Sequence, residues 1–312
     1  MSEVYRVGPP SYFQHTLKDS FSCIGRGLHS GLRVVMSVLP APANTGYRFV
    51  RRDVASDRNE VIGAWYTVSD TYLCTTIANP LGVQVATVEH LVAALHVCDI
   101  DNAIIVLDGP EVPIMDGSSK AFIDLIDSVG TARQAWQRRA IVVKKPLSVR
   151  DGDKQAWLLP YHKPWVDIEI EFDEPCIGHQ RMSTAIDYET FKRDIACART
   201  FGFREDVALL KDLGFARGGS LDNAIVVANG EVTNPSGLRF GDEFVRHKVL
   251  DTIGDLALAG APIIGFFSGK YTGHKLNNSL LRKLMSAGAN YEFCNFSSLD
   301  CFRRNLLSDS AC

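Results

Sequence analysis

Apolar residues in this chain fall into short runs, which predict strands, and into one-sided stripes, which predict helices. A strand-like run at 32–39 is followed by a Pro/Asn/Gly turn. Two further strands are predicted at 84–86 and 103–107, on either side of a helix that begins near Thr87, a good N-cap residue. The apolar stripe of that helix is formed by Val88, Leu91, Val92 and Leu95.

The same order of elements recurs in the second half of the chain. The first copy is VEHLVAALHVCDIDNAIIVLDG, followed by SSKAFIDLIDSVG, and the second is VRHKVLDTIGDLALAGAPIIGFFSG, followed by NNSLLRKLMSAG. Each copy predicts a helix, a strand, a loop and a second helix. This order favours an α/β fold of the α+β type, in which two similarly built layered domains pack together, over a single doubly wound sheet.

The length of 312 residues favours about two domains of roughly 150 residues each. A charged segment at 131–139, followed by a strand-like run at 140–143, marks the boundary between them. The expected organisation is a leader at 1–14, an N-terminal α/β domain at 15–135, a C-terminal α/β domain at 140–295 and a tail at 296–312.

Charge and composition indicate a protein whose partner is a small molecule bound in a pocket. A formal net charge of −3 and a pI near 6.2 argue against a nucleic-acid-binding surface spread over the chain. The eight cysteines form no C-x-x-C pair, so we expect reduced thiols. The N-terminus lacks a signal-peptide pattern, and the longest weakly polar run, at 256–269, is too short to cross a bilayer. We therefore expect a cytoplasmic monomer without a membrane span.

Two short polar patterns carry candidate chemistry. Glu89 and His90 fall in the first turn of the helix near Thr87, where the acid could simply complement the helix dipole beside a hydrogen-bonded histidine. In the second half His247, Asp251 and Asp255 recur every fourth residue and share one helix face. A solvated charged face with an i,i+4 pair would show the same spacing.

Together, His90, His247 and Asp251 supply two imidazoles and one carboxylate, which is the ligand set of catalytic zinc sites that keep a fourth position open for water. Glu89, next to a proposed ligand, is suited to act as general base on that water. His274 lies in a glycine-marked loop and is a candidate general acid, although an isolated loop histidine often has no catalytic role.

The sequence also closely resembles the bacterial UDP-3-O-(3-hydroxyacyl)-N-acetylglucosamine deacetylases of lipid A synthesis. The resemblance extends from about residue 14 to about residue 287 and rests on several separated motifs. These motifs lie at 25–31, 40–46, 87–90, 113–118, 198–203, in the helix of His247, and at 273–274.

The resemblance implies helices sandwiched between the sheets of two layered domains, each with a small insert. The second insert, expected at 201–229, would form an apolar passage for an acyl chain, although an amphipathic helix like the one in it more often belongs to the core. Zn²⁺ would be bound by His90, His247 and Asp251, with Glu89 as general base and His274 as general acid.

Further roles follow from the same resemblance. Asp255 would orient His274 and keep it protonated, and Thr200 would donate a hydrogen bond to the oxyanion. Lys248 is similar to a lysine that binds substrate and acts in catalysis. Phe172 is similar to an aromatic residue that contacts the nucleobase, and Phe201 would also line the substrate site.

The sequence departs from the family pattern at one position, because Tyr271, beside Lys270, stands where a basic residue often contacts phosphate. The resemblance nevertheless implies an amide hydrolase that acts on an acylated UDP-N-acetylglucosamine. Two alternatives remain open at this stage: a zinc amidase that acts on another acylated amino sugar, and a non-catalytic sensor of nucleotide sugars or lipid precursors.

Overall fold

Strands dominate residues 11–298, the part of the chain that the computed structural model describes. The first half contains β1 (Phe13–Leu17), β2 (Phe21–Arg26), β3 (Arg33–Pro40), β4 (Tyr47–Arg51), β5 (Glu60–Gly63), β6 (Val68–Asp70), β7 (Thr76–Ala78), β8 (Gln84–Val85), α1 (Glu89–Val97), β9 (Ala103–Leu107), α2 (Lys120–Val129) and β10 (Thr131–Gln137). Alternation explains β3, whose Val34, Met36 and Val38 are fully buried while the residues between them are half-buried.

The second half begins with β11 (Arg139–Val143), β12 (Leu147–Asp151), β13 (Lys154–Leu159), β14 (Pro164–Glu171), β15 (His179–Ala185), α3 (Tyr188–Asp194), β16 (Phe201–Phe203) and α4 (Arg204–Asp212). It continues with β17 (Ile225–Ala228), β18 (Glu231–Val232), α5 (Glu243–Ala257), β19 (Ile263–Lys270), α6 (His274–Met285) and β20 (Tyr291–Asn295).

Each half contains one large mixed sheet. The first has the order β2-β3-β9-β4-β5, with β4 and β9 parallel. In the second, β12-β13-β19-β11-β20 form a continuous path, and β14 pairs in parallel with β19 and antiparallel with β15. Smaller sheets are formed by β6-β7-β8, by β16-β17-β18 and by the pair β1-β10. The layered α/β architecture predicted from the sequence is confirmed.

Helices α1 and α5 lie in the interior, where one large hydrophobic cluster includes residues of both helices and of both large sheets. Eight of the nine residues of α1 and thirteen of the fifteen residues of α5 are buried. A helix covered on nearly all sides cannot present a solvated face. The polar residues of these two helices are therefore inside the protein.

The two helices approach each other closely at a glycine. A Cβ atom at Gly254 would lie only 2.2 Å from the carbonyl oxygen of Glu89 and 2.9 Å from its Cα. A side chain of any size at residue 254 would therefore collide with the backbone of α1. Because a backbone cannot rotate aside as a long side chain can, Gly254 determines how near the two helices lie.

The predicted repeat is confirmed, since α1, β9 and α2 recur in the order α5, β19 and α6. The expectation that Thr87 caps α1 is wrong. The N-cap is Val88, while Thr87 has a left-handed φ of 56° and its hydroxyl donates to Glu111 (2.9 Å).

Other differences concern the segments between and beyond the predicted elements. Strand β1 begins inside the expected leader, and the charged segment at 131–139 contains strand β10. Phe296, expected to begin the tail, is buried against Ala140, Val142 and Ile264. Residues 1–10 and 299–312 lie outside the described residues. The division into domains at 135–140 stays a proposal.

Six cysteines at described positions are free thiols, namely Cys23, Cys74, Cys98, Cys176, Cys197 and Cys294. Cys301 and Cys312 lie outside the described residues. Within residues 11–298, no helix is long and apolar enough to cross a membrane.

We predict that Gly254→Ala destabilises the protein by about 1–2 kcal/mol. Overpacking typically costs about 1–3 kcal/mol, and a Cβ only 2.2 Å from a backbone oxygen falls in the upper part of that range, at about 2–3 kcal/mol. The better helix propensity of alanine returns about 1 kcal/mol. Chemical denaturation measures the difference. Gly241→Ala is the matched control, because a Cβ there has no heavy atom within 4 Å. Equal stability of the two variants would mean that α1 and α5 do not meet at Gly254.

Candidate metal centre

Three buried side chains from α1 and α5 converge on one point. Nε2 of His90 lies 3.5 Å from Oδ1 of Asp251, and Nε2 of His247 lies 3.2 Å from the same oxygen. One nitrogen or oxygen from each of the three residues lies within 4.8 Å of the others. The helical period places His247 and Asp251 one turn apart on α5, and the close approach of α1 adds His90.

The protonation of these groups suits a metal ion. Nδ1 of His247 lies 3.0 Å from the carbonyl oxygen of Ala198, which can only accept, so Nδ1 holds the hydrogen and Nε2 presents its lone pair. Burial lowers the pKa of His90, which favours the neutral imidazole that a metal requires. Burial alone would raise the pKa of Asp251, but its interactions with the imidazole of His247 and with charged Lys248 hold it well below its usual range.

Glu89 and His274 lie beside this group and face each other. Nε2 of His274 is 3.8 Å from Oε1 of Glu89, and Nδ1 of His274 is 2.9 Å from Oδ2 of Asp255. All three side chains are at most 9% exposed. The charged face of α5 is thus buried, which rules out the solvated face that the sequence left open for this helix.

Two residues that sequence analysis did not single out complete this cluster. The backbone N–H of Thr75 donates to Glu89 (3.1 Å), and its hydroxyl donates to Asp255 (2.5 Å). The side-chain amide of Asn277 donates to the same carboxylate at 2.8 Å. Asn277 lies on α6, which begins at His274, so the prediction of a loop at His274 was wrong and the i,i+3 relation to Asn277 was missed. No local pattern marks Thr75.

The pKa values of both residues of the facing pair are raised above their usual ranges. Burial raises the pKa of Glu89 to about 8, and protonated His274 opposes this rise. Burial would lower the pKa of His274, but the charge of Asp255 and its hydrogen bond raise it to about 9. His274 is therefore an imidazolium at neutral pH.

Aromatic residues and one lysine line the side of the cluster next to His247. Nζ of Lys248 lies 3.0 Å from Asp251 and 5.4 Å from the ring centre of Phe201. The ring of Phe201 is 6.4 Å from that of His247 and 5.8 Å from that of Phe172. The fold thus brings all three predicted substrate-contact residues to one side of the candidate centre.

Comparison with known proteins gives the family of the chain. The family model for UDP-3-O-acyl N-acetylglycosamine deacetylase matches residues 14–286. The chain belongs to this deacetylase family. A relative from Myxococcus xanthus (strain DK1622) named UDP-3-O-acyl-N-acetylglucosamine deacetylase is 50% identical over 284 residues, 91% of this chain and 90% of that protein.

Other relatives of the same name cover similar parts of the chain. One from Shewanella piezotolerans (strain WP3 / JCM 13877) is 44% identical over 91% of this chain and 93% of its own length. Another, from Phenylobacterium zucineum (strain HLK1), is 45% identical over 87% of this chain and 93% of its own length. The deacetylase family is therefore matched over nearly the whole described structure.

Two expectations taken from the deacetylase family concern residues around the centre. Thr200 is placed by its backbone, which donates to Gly117 and accepts from Ile225, each at 2.8 Å. Its role as an oxyanion donor stays a prediction. The hydroxyl of Tyr271 donates to Glu171, and Lys270 lies 3.7 Å from Glu169, so both side chains at the departing position are engaged by strand β14.

The insert expected in the deacetylase family at 201–229 contains β16, α4 and β17. No residue of α4 is buried, and Leu209 and Leu213 are 60% and 57% exposed, so the interpretation of this helix as core is wrong. Phe215, after α4, makes edge contacts with His29 and Tyr72. The insert therefore reaches loops of the first half, and its use as an acyl passage stays a prediction.

We predict that the purified protein binds about one divalent metal ion and that His90→Ala and Asp251→Ala each lose it, because three protein ligands are the minimum of a catalytic zinc site. Elemental analysis after dialysis measures the metal. His179→Ala, which removes an exposed histidine, is the control and should keep it. Stoichiometric metal of normal affinity in either ligand variant would disprove the assignment.

Proposed function

We propose that this chain hydrolyses the N-acetyl group of UDP-3-O-(3-hydroxyacyl)-N-acetylglucosamine, with release of acetate, in lipid A synthesis. The observation that carries the proposal is the facing pair of Glu89 and His274 beside three convergent ligand atoms in a member of the deacetylase family. We further propose that the metal is Zn²⁺ and that the protein acts as a cytoplasmic monomer.

The residues fit a zinc ion because two imidazoles and one carboxylate are the donors that zinc prefers. His90, His247 and Asp251 would hold it. When bound, the ion supplies a Lewis acid that lowers the pKa of a water ligand to about 7 and stabilises negative charge on the amide oxygen. Beside such an ion, Glu89 would favour its carboxylate form, because a nearby positive charge would lower its pKa.

Two proton transfers complete the hydrolysis. Glu89 takes a proton from the attacking water as the new C–O bond forms at the acetyl carbon. His274 gives its Nε2 proton to the sugar nitrogen as the C–N bond breaks, so the products are acetate and the free amine. Asp255, bound to Nδ1, keeps His274 charged and aims Nε2 toward Glu89.

Other groups would bind the substrate and its developing charge. Thr200 and Lys248 are proposed to stabilise the negative charge of the oxyanion. Thr200 precedes Phe201, whose ring contacts that of His247, and Lys248 contacts Asp251. Phe172 and Phe201 offer ring faces for the nucleobase and sugar. The exposed apolar residues of α4 would contact the acyl chain.

The acid–base assignment predicts a bell-shaped pH dependence of kcat/KM. Activity needs protonated His274 and is lost as pH rises through its pKa, which Asp255 raises. Asp255→Asn removes that negative charge, lowers the pKa of the imidazolium and should shift the alkaline limb to lower pH. The measurement is the pH profile of metal-loaded enzyme. An alkaline limb that stays in place or moves upward would contradict the coupling between Asp255 and His274.

The decisive test is acetate release, followed by mass spectrometry of the UDP-sugar. Each CH₂ of the 3-O-acyl chain that is buried should lower the activation free energy corresponding to kcat/KM by about 0.8 kcal/mol. UDP-N-acetylglucosamine without the chain should therefore be a poor substrate. Glu89→Gln is the matched control, which should keep the metal and lower kcat by about 10²–10⁴. Equal turnover of the two sugars would favour an amidase with another substrate, and no acetate would favour a non-catalytic sensor.

A further inference from the structure

Two loops next to the proposed metal centre are hydrogen-bonded to each other, and the proposed mechanism gives a role to Thr200 alone among their residues. We call them the frame loops, and they comprise residues 113–119 and 196–200. The backbone N–H of Thr200 donates to the carbonyl oxygen of Gly117 (2.8 Å), and that of Ser119 donates to Ala196 (3.0 Å). Because one loop comes from each half of the chain, these bonds join the two halves at this point.

Each frame loop also contacts one of the proposed metal ligands. The carbonyl oxygen of Ala198 accepts from Nδ1 of His247 at 3.0 Å. The hydroxyl of Ser119 donates to the carbonyl oxygen of His90 at 2.8 Å. Ser119 and Ala198 are both fully buried, so water does not compete for these bonds. The frame loops therefore restrain the ring of one ligand and the backbone of the other.

One buried carboxylate anchors this arrangement. Glu243 lies on α5, one turn before His247, and is fully buried. It accepts hydrogen bonds from N (3.0 Å), Nε (2.8 Å) and Nη2 (3.1 Å) of Arg199 and from the backbone N–H of Arg239 (2.6 Å). Arg199 stands between Ala198 and Thr200, so this clamp fixes both neighbours.

The second arginine connects the same carboxylate to the other frame loop. Nη1 of Arg239 donates to Oδ2 of Asp116 at 2.8 Å and to the carbonyl oxygen of Cys197 at 2.9 Å. Both frame loops are thus linked to Glu243 through charge-assisted hydrogen bonds, which are stronger than neutral ones.

We propose that Glu243 is a positioning residue of the metal centre, which holds the frame loops through Arg199 and Arg239 and thereby orients the ring of His247. This inference rests on the metal site proposed above. Outer groups that orient a ligand imidazole commonly affect metal affinity, because they fix the tautomer and the direction of the lone pair. Within residues 11–298, Glu243 makes its hydrogen bonds to Arg199 and Arg239 and none to the three ligand side chains.

The test compares Glu243→Gln with Asp242→Asn. Glutamine at 243 keeps the shape but cannot accept from the guanidinium of Arg199 with both terminal atoms. Asparagine at 242 removes the same charge one residue away, from a partly exposed pair with Arg246 (2.5 Å). Glu243→Gln should bind Zn²⁺ about 10- to 100-fold more weakly in a chelator competition, whereas Asp242→Asn should match wild type.

Two further readouts distinguish positioning from general support of the fold. The visible spectrum of the Co²⁺-loaded Glu243→Gln protein should change, because the imidazole of His247 is no longer held in one direction. Its kcat should fall while KM stays near the wild-type value. A Glu243→Gln protein with lower melting temperature but wild-type affinity and spectrum would overturn the proposal, as would an equal loss in Asp242→Asn.

If Glu243→Gln does not fold, the double variant Glu243→Leu with Arg199→Met replaces it, since apolar substitution of both partners of a buried ion pair is often tolerated. A folded double variant that binds Zn²⁺ with wild-type affinity would overturn the proposal. Zn²⁺ binding that is at least tenfold weaker would support it. The wild-type control separates the two proposals. If the wild-type protein itself bound no metal, the proposed function would be refuted, whatever the Glu243 variants did.

Discussion

The close contact of α1 with α5 is the constraint on which the rest of the site depends. Asp251 and Asp255 flank Gly254 on one helix, and Glu89 and His90 lie at the opposing position on the other. A helix fixes the spacing within each set but not the distance between the sets. That distance is set by a glycine against a backbone carbonyl, which leaves no room for adjustment. The contact at Gly254 therefore both brings the three ligand side chains together and places Glu89 beside them.

Electrostatics imposes a second requirement, because buried charges are costly unless they are paired. Glu89, Asp251 and Asp255 would place three negative charges in a space that holds two cations, His274 and Lys248. The excess negative charge favours either a proton on Glu89, in keeping with its pKa of about 8, or a divalent cation. The excess negative charge of this cluster thus favours metal binding. Glu89 can act as a base only when a bound cation balances the negative charges of Asp251 and Asp255.

Much of this site could be predicted from the sequence, because periodicity places His247, Asp251 and Asp255 on one face of a helix and the repeat predicts the elements around them. Contacts between distant segments could not be predicted from the residues alone. Thr75 reaches Asp255 across 180 residues of chain, and no pattern marks it. The cap of α1 was mispredicted for a related reason, since the hydroxyl of Thr87 bonds the distant Glu111 instead of the helix. The hydrogen bond to buried Glu111 thus outweighed the preference of threonine for an N-cap position.

Because the proposed ligands come from both halves of the chain, metal affinity and the stability of the α1–α5 contact are linked quantities. A metal that binds only the assembled site stabilises the folded protein by about 2.7 kcal/mol at a free concentration of 100 Kd. By the same linkage, a change that separates the helices weakens metal binding in proportion to the fraction of the protein that loses the assembled arrangement. Gly254 acts on this arrangement through distance and Glu243 through the orientation of one ligand. The two residues lie on the same helix, with His247 and Asp251 between them, but only the effect of Gly254 passes through the helix contact itself, since Glu243 acts through Arg199, Arg239 and the frame loops.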